Sequence, residues 1–573
     1  MHIRWAYLKR VLAGAIFGLY MAHLLYFLNP QIDITPGRLA TVTIVYGIIC
    51  GVLFGSILWG LRALRVQLFG GRDANAPYRA HGFGFVVLAA FISAAIYWMH
   101  LSVLRSVQYL PVGAVRILSK STNLITATAF VLLLLWVLER SATRSTSRAI
   151  FAAGVALIAV SSFFLYQRRD SYHTERRTVV VANVGTVAGQ RPVIVVAIRN
   201  LPYDWLLTLA GEGAVPAFDR LKAHGYLTRV EPFPTTSPKA LWASLATGKL
   251  PYRHGVTGRF SYRTPLNRDE PFLMLPSGVG FRAWGLIPPV ERISAQLPAG
   301  DALPLWALFE RVAFHAAAIA WPSSLPSGAS RVVTDSFFDV RDKAREVVPP
   351  SFAPTALQLA NPQLRPFAQR FNAAGPRRNE VLAALGRDLT ATAIARQSIG
   401  EHRFELNVVA LEGFADAQRV LHVFSNELPL RTSVKGEAMR AYAEQLDRII
   451  GELAADFPDH LLVVVAPSGV VPPAVAGTPF EIVRDWLVDD DPGADDGFIL
   501  LTGPGVAHSD RPASAYVTDL VPTVLYGAGL PVGRDMDGRV LTDAFTDEFL
   551  RRTTLSVIQT YEAKNIVVRR GGA

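Results

Sequence analysis

The 573-residue sequence predicts two joined fold classes: an α-helical membrane domain of five helices, followed by an α/β domain with a mostly parallel central sheet. Three observations carry this. Five long apolar runs fall within the first third of the chain. Beyond them, short apolar runs alternate with helical patterns. The charge is also divided: of 57 Lys/Arg and 46 Asp/Glu, residues 1–177 hold 18 and 5, leaving 39 and 41 for the rest. The basic excess therefore flanks apolar segments and does not form a nucleic-acid-binding face.

The apolar runs lie at about 11–28, 40–61, 83–101, 121–138 and 149–166. Each approaches the length needed to cross roughly 30 Å of hydrocarbon. Arg4, Lys9 and Arg10 precede the first, but no small-residue cleavage site follows it, so it reads as a span and not as a leader. With the N-terminus inside, the Arg-rich stretches after the second and fourth spans face the cytoplasm; Arg168, Arg169, Arg176 and Arg177 run against that rule. An odd span count then places the C-terminal domain outside the cytoplasm, giving a multi-pass inner-membrane protein with an extracytoplasmic, periplasmic domain. Gly14, Gly18, Gly47, Gly51 and Gly55 are spaced four apart within the first two spans, which suits close helix packing inside one bundle. His23 and His100 read as neutral histidines facing neighbouring helices, a proton or ligand site being the alternative. The single cysteine, Cys50, excludes an intramolecular disulfide, and its place in a span argues against a catalytic thiol.

Three divisions follow: a transmembrane domain over 1–166, a polar linker over 167–190 and the α/β domain over 191–573. Strands are predicted at 192–198, 315–321, 461–466 and 497–502, and helices at 215–225, 239–247, 436–455 and 517–528. Strands alternating with helices imply a mostly parallel sheet, which collects ligands at the carboxyl ends of its strands. The Gly-, Pro- and Arg-rich stretch 255–300 reads as an excursion or lid, and the terminal "RRGGA" as disordered.

Six segments, in order, resemble the type I phosphodiesterase/nucleotide pyrophosphatase family of the alkaline phosphatase superfamily, and cover about 190–545. They are "AVPAFDRLKAHG", "TTSPKALWASLATGKLPYRHGV", "PLWALFERVAFHAAAIAWPSSLP" with "TDSFF", "AYAEQLDRIIGEL" with "DHLLVVVAPSG", "DGFILLTGPGV", and "VTDLVPTVLYGAGLPVGRDMDGRVL". Five spans before such a domain also resemble the layout of phosphoethanolamine transferases and lipoteichoic acid synthases, as an analogy of architecture.

The resemblance implies two divalent cations, zinc or manganese, held by carboxylates and imidazoles, which activate a nucleophile and stabilise the leaving oxygen. The residues at the implied positions differ. The first strand's aspartate falls on Arg199. The aspartate of an Asp-x-x-x-His pattern falls on Gln418 and its histidine on His422. An Asp-His pair falls on Pro467 and Ser468, and a late histidine on Gly493. A shift of one or two residues would restore Asp204, Asp416 or Asp495, but not the set. For the nucleophile, counting back from Thr247-Gly248 reaches Pro238; one inserted residue reaches Ser237, and Thr236 is a further candidate. Arginine repels a cation as well as failing to bind it, and proline and glycine offer no side-chain donor.

The sequence therefore favours a pseudoenzyme without metal or cofactor, binding at the membrane surface through Arg199, Gln418, His422 and Ser468. The implied partners are the lipid bilayer and a protein, anionic lipid or glycan; Arg199 suits phosphate bidentately unless an acidic neighbour pairs with it. The alternative is an active metal-dependent phosphodiesterase or phosphotransferase acting on membrane-surface phosphoesters. His254 reads as holding its turn by a backbone hydrogen bond, His508 as a loop residue and Asp519 as a helix cap.

Overall fold

The computed structural model describes residues 2–69, 82–107, 109–141, 144–172, 181–186, 191–233, 237–258, 260–264, 270–276, 291–295, 297, 302–322, 328–423, 434–469, 495–509 and 512–570. The chain forms two compact units. One includes Met1–Arg176 and Phe260–Ser294; the other holds most of the remainder.

The first unit contains α1 (His2–Leu28), α2 (Pro36–Phe69), α3 (Gly82–Val107), α4 (Val112–Ser141) and α5 (Arg144–Asp170). Each carries a window long and apolar enough to cross a membrane. Their outward side chains remain apolar: Ile44, Leu134 and Phe163 are each about 60% exposed, a pattern that suits lipid and not water. α1 and α2 approach closely through the glycines. A Cβ on Gly18 would lie 2.6 Å from the Tyr46 carbonyl oxygen, and one on Gly51 2.9 Å from that of Val11. The spacing therefore serves packing within the bundle. Tyr20 and Ser161 share a buried hydrogen bond of 3.0 Å, and the Tyr97 hydroxyl donates to the Tyr20 carbonyl.

α5 runs four residues past the boundary expected at 166, and the reason is Arg169. Its buried guanidinium donates to the carbonyls of Tyr26, Asn29, Ile32 and Tyr172, satisfying acceptors that the end of α1 would leave open. One of the arginines that ran against the charge-orientation rule thus has a packing role. The stretch expected as a linker also contains β1 (Val181–Thr186), which pairs in parallel with β15 (Asn565–Arg570), so Arg569 and Arg570 of the expected disordered tail lie in a strand. The excursion carries β4 (Phe260–Arg263) and β5 (Glu291–Ser294), an antiparallel pair.

The second unit is built on a nine-stranded sheet of order β12-β3-β11-β10-β2-β9-β6-β7-β8. Its strands are β2 (Val193–Ile198), β3 (Tyr226–Glu231), β6 (Ala316–Ile319), β7 (Arg331–Val333), β8 (Val347–Val348), β9 (Leu406–Leu411), β10 (Leu461–Ala466), β11 (Gly497–Thr502) and β12 (Ala515–Tyr516). β10, β2, β9, β6 and β7 are mutually parallel, whereas β11 and β8 run against their neighbours. A short parallel pair, β13 (Val532–Gly533) with β14 (Val557–Ile558), lies apart.

The helices are α6 (Tyr203–Gly211), α7 (Pro216–His224), α8 (Pro238–Thr247), α9 (Pro251–His254), α10 (Leu305–Arg311), α11 (Ala353–Leu359), α12 (Arg378–Gly400), α13 (Gly413–Leu421), α14 (Val434–Asp456), α15 (Leu520–Gly527) and α16 (Asp547–Arg552). Strand side chains alternate faces, so "VIVVAI" divides into two cores. Ile194, Val196 and Ile198 pack with residues of α6, α7, α12, α13 and α14, while Val193, Val195 and Ala197 pack with α8, α10 and α15. With helices on both faces, every side chain of β2, β9 and β10 is buried.

Candidate binding site at the strand ends

The pairing register sets the site. Ile198 lies opposite Leu411, and Val465 opposite Ala197, so Arg199, Glu412 and Pro467 follow in one row where the three central strands end. β3 and β7 end at the same edge, followed by Ser237 and Asp335, and antiparallel β11 begins there with Asp495 and Asp496 before it.

At the head of the row the Arg199 amide donates to the Leu411 carbonyl, continuing the ladder one residue past the strand. Asn200 then turns left-handed at φ 62°. Its carbonyl accepts from Gln418 Nε2 at 3.2 Å, which fixes the amide orientation and leaves the buried Gln418 Oε1 without a partner among the described residues. The Arg199 guanidinium lies 3.5 Å from Glu412 Oε1, and both side chains keep about a quarter of their surface. An ion pair therefore occupies a position where the family resemblance calls for a metal-binding carboxylate.

Glu412 is the site residue that sequence reasoning missed. It follows a strand, "LNVVAL", that had gone unrecognised, and that run of buried apolar residues was its available signal. Burial pushes its carboxyl up, Arg199 pulls it down, and Asp416 and Asp335 push it up further. Behind it, the fully buried Asp388 on α12 accepts from the Gly413 amide and the Tyr442 hydroxyl, each at 2.9 Å. A Cβ on Gly413 would lie 2.2 Å from that hydroxyl, so only glycine fits where α12, α13 and α14 meet. Burial raises the Asp388 carboxyl to about 7. The two hydrogen bonds oppose this, and Asp416 and Glu412 add to it.

The other expected residues divide. Ser468 is buried at the end of β10, beside Gly469, whose amide donates to the Asp495 carbonyl. Ser237 sits half-buried at the start of α8. Thr236 and Gly493 lie outside the described residues. His422 forms the left-handed cap at the end of α13, φ 52°, and is exposed, one helical turn beyond Gln418. Of the aspartates a shift would restore, Asp204 pairs with Arg229 at 2.8 Å, and Asp416 with Arg419 and Arg387.

His254 and His508 have local roles. The Val256 amide donates to His254 Nδ1 at 3.1 Å, leaving Nε2 to donate to Ser244 Oγ at 2.8 Å. This buried Ser–His pair has the wrong tautomer for a general base acting on that hydroxyl, and burial lowers the imidazole to about 3. His508 contacts the Gly225 carbonyl, and Asp519 accepts from the Tyr516 and Arg539 amides as expected of a cap.

The chain belongs to the type I phosphodiesterase/nucleotide pyrophosphatase family, whose model matches residues 193–511. No match is found among curated proteins. Among solved structures, a phosphonoacetate hydrolase from Sinorhizobium meliloti 1021 is similar at 18% identity and a TM-score of 0.34, covering 55% of this chain and 66% of that one. Murine ectonucleotide pyrophosphatase/phosphodiesterase 5 is similar at 12% identity and 0.35, covering 62% of this chain and all of that one. The wild-type alkaline phosphatase PafA is similar at 12% and 0.38, covering 63% and all of that chain. The α/β domain is thus a domain of the type I phosphodiesterase/nucleotide pyrophosphatase family, carried with five apolar helices.

Members of this family normally use divalent metals, and the residues at this site do not fit them. Among the described residues no group of three His, Cys, Asp or Glu side chains is placed to hold an ion. The row at the strand ends presents a guanidinium and a proline where carboxylate and imidazole donors are needed.

Proposed function

We propose that the α/β domain recognises a ligand without cleaving it, as a metal-free member of its family held at the inner membrane by five spans, on the extracytoplasmic side. The observation that carries this is the Arg199–Glu412 ion pair in the row that ends at Pro467. Two-metal phosphoryl transfer draws several kcal/mol from each metal's charge, and a fixed guanidinium at that place opposes a cation. Arg199 does pair with an acidic neighbour, the alternative to phosphate binding left open by the sequence, but a guanidinium has five N–H donors and one ion pair leaves several for an anionic lipid headgroup or glycan.

A second reading, a metal-dependent hydrolase, is favoured by one arrangement: Ser237, Glu412 and Asp495 share the same sheet edge. Metal analysis of the purified full-length protein, with turnover of a generic aryl phosphodiester, separates the two. The expected result is substoichiometric zinc and manganese, no turnover, and anionic-headgroup binding that weakens on Arg199→Ala. Stoichiometric metal with turnover abolished by Ser237→Ala would overturn the proposal.

A further inference from the structure

The excursion contains a feature that the strand-end site does not use. Asn29, fully buried at the end of α1, accepts from the amides of Leu273 and Met274 at 2.7 and 3.2 Å, and donates to the carbonyls of Met274 and Leu25 at 2.8 and 2.7 Å. One side chain thereby joins the last turn of α1 to a segment about 245 residues away. Phe272, 1% exposed, packs edge-on against Tyr26 with ring centroids 6.4 Å apart. Both ends of this contact belong to the same compact unit, although 270–276 is inserted in sequence between elements of the α/β domain.

The position of the contact is informative. The apolar windows Val11–Leu28 and Thr146–Asp170 end together, drawn to one rim by Arg169 on the Tyr26, Asn29 and Ile32 carbonyls. In a bundle that crosses a membrane, that rim is the water–hydrocarbon boundary. Backbone hydrogen bonds to Asn29 hold 273–274 at this level, where Leu273, Met274 and Leu275 are three consecutive half-buried apolar side chains. Residues 271–290 carry a single charged side chain, Arg282. Half-covered apolar side chains fixed at the boundary gain free energy by entering the lipid, at roughly 25 cal/mol per Å² removed from water.

We propose that residues 270–276 form a membrane-interface element, with Asn29 as the anchor that holds it at the phospholipid boundary and Leu273, Met274 and Leu275 as its lipid contacts. The proposal rests on the helices spanning a membrane, and its test separates the two. In a Cys50→Ser background, which removes the only native thiol, nitroxide labels are placed at Leu275→Cys, at Leu134→Cys on the outer face of α4, and at Gln358→Cys on an exposed site of α11. The protein is reconstituted in phosphatidylcholine nanodiscs, and label collision with oxygen is compared with collision with a water-soluble nickel chelate.

The expected oxygen-to-nickel ratio at 275 stands several-fold above that at 358 and approaches that at 134. Asn29→Ala should return position 275 to the value at 358 while leaving 134 unchanged. A ratio at 275 equal to that at 358, with 134 in lipid, overturns the proposal. If 134 also matches 358, the membrane-spanning reading itself fails. A label at 275 that stays in lipid in Asn29→Ala overturns the anchoring role of Asn29. If that variant does not fold, the label in the Asn29 protein decides alone.

Discussion

Replacing Asp388 with asparagine should change how the stability of the α/β domain depends on pH. Asp388 is fully buried, no cation among the described residues pairs with it, and its carboxyl is raised from an ordinary 3.8 to about 7. The folded state therefore holds this proton more tightly than the unfolded chain does. Below pH 4 the carboxyl is neutral in both states and costs nothing. Between about 4 and about 7 the unfolded chain gives up its proton first, so folding stability falls as pH rises; above 7 the loss is complete. Roughly three pH units at about 1.4 kcal/mol each set a ceiling of about 4 kcal/mol.

Asparagine keeps the shape and an acceptor for the Gly413 amide, and its NH₂ can donate to the Tyr442 oxygen, so the neutral side chain avoids the cost of a buried charge. The assay is the melting temperature of the full-length protein in detergent, followed by tryptophan fluorescence from pH 5 to pH 8.5. Each kcal/mol moves Tm by roughly 2–4 °C in a domain of 150–250 residues, and by less in a larger one. Asp388→Asn should melt several degrees above the parent at pH 8, and the gap should narrow steadily as pH falls toward 5. Parallel pH profiles for the two proteins would refute the reasoning.

Two further outcomes follow from buried contacts. Lys249, 5% exposed, donates to Asp535 and Glu562 at 2.6 Å each. Lys249→Met should strand two partly buried carboxylates and cost about 3–5 kcal/mol, seen as a lower Tm. Gly18→Leu would drive a side chain into Tyr46 and Gly47 of α2, so it should lower the thermal stability of the purified bundle, whereas leucine at Gly60, where a Cβ meets nothing within 4 Å, should leave it unchanged.

Much of this architecture was legible in residue order. Runs such as Val11–Leu28 announce spans by length and lack of charge, and "LLVVVA" was placed residue for residue as β10 because a strand covered by helices on both faces is apolar throughout. Arg199 and Pro467 were legible because each follows directly on a buried apolar run, "VIVVAI" and "LLVVVA". Glu412 was hidden because β9 lies between "TDSFF" and "AYAEQLDRIIGEL" and belongs to none of the six segments that resemble the family.

The sequence by itself determined five long apolar helices and a sheet with two apolar faces, which follow from composition and periodicity, both local properties; Arg199 and Pro467 at the strand ends stand out only against the pattern of the family the chain resembles. Tertiary structure alone decided which charges meet. It paired Arg199 with Glu412, placed Asp388 under Gly413 and brought Asn29 to Leu273, because contacts between residues far apart in the chain depend on strand register and helix packing, which no stretch of sequence contains.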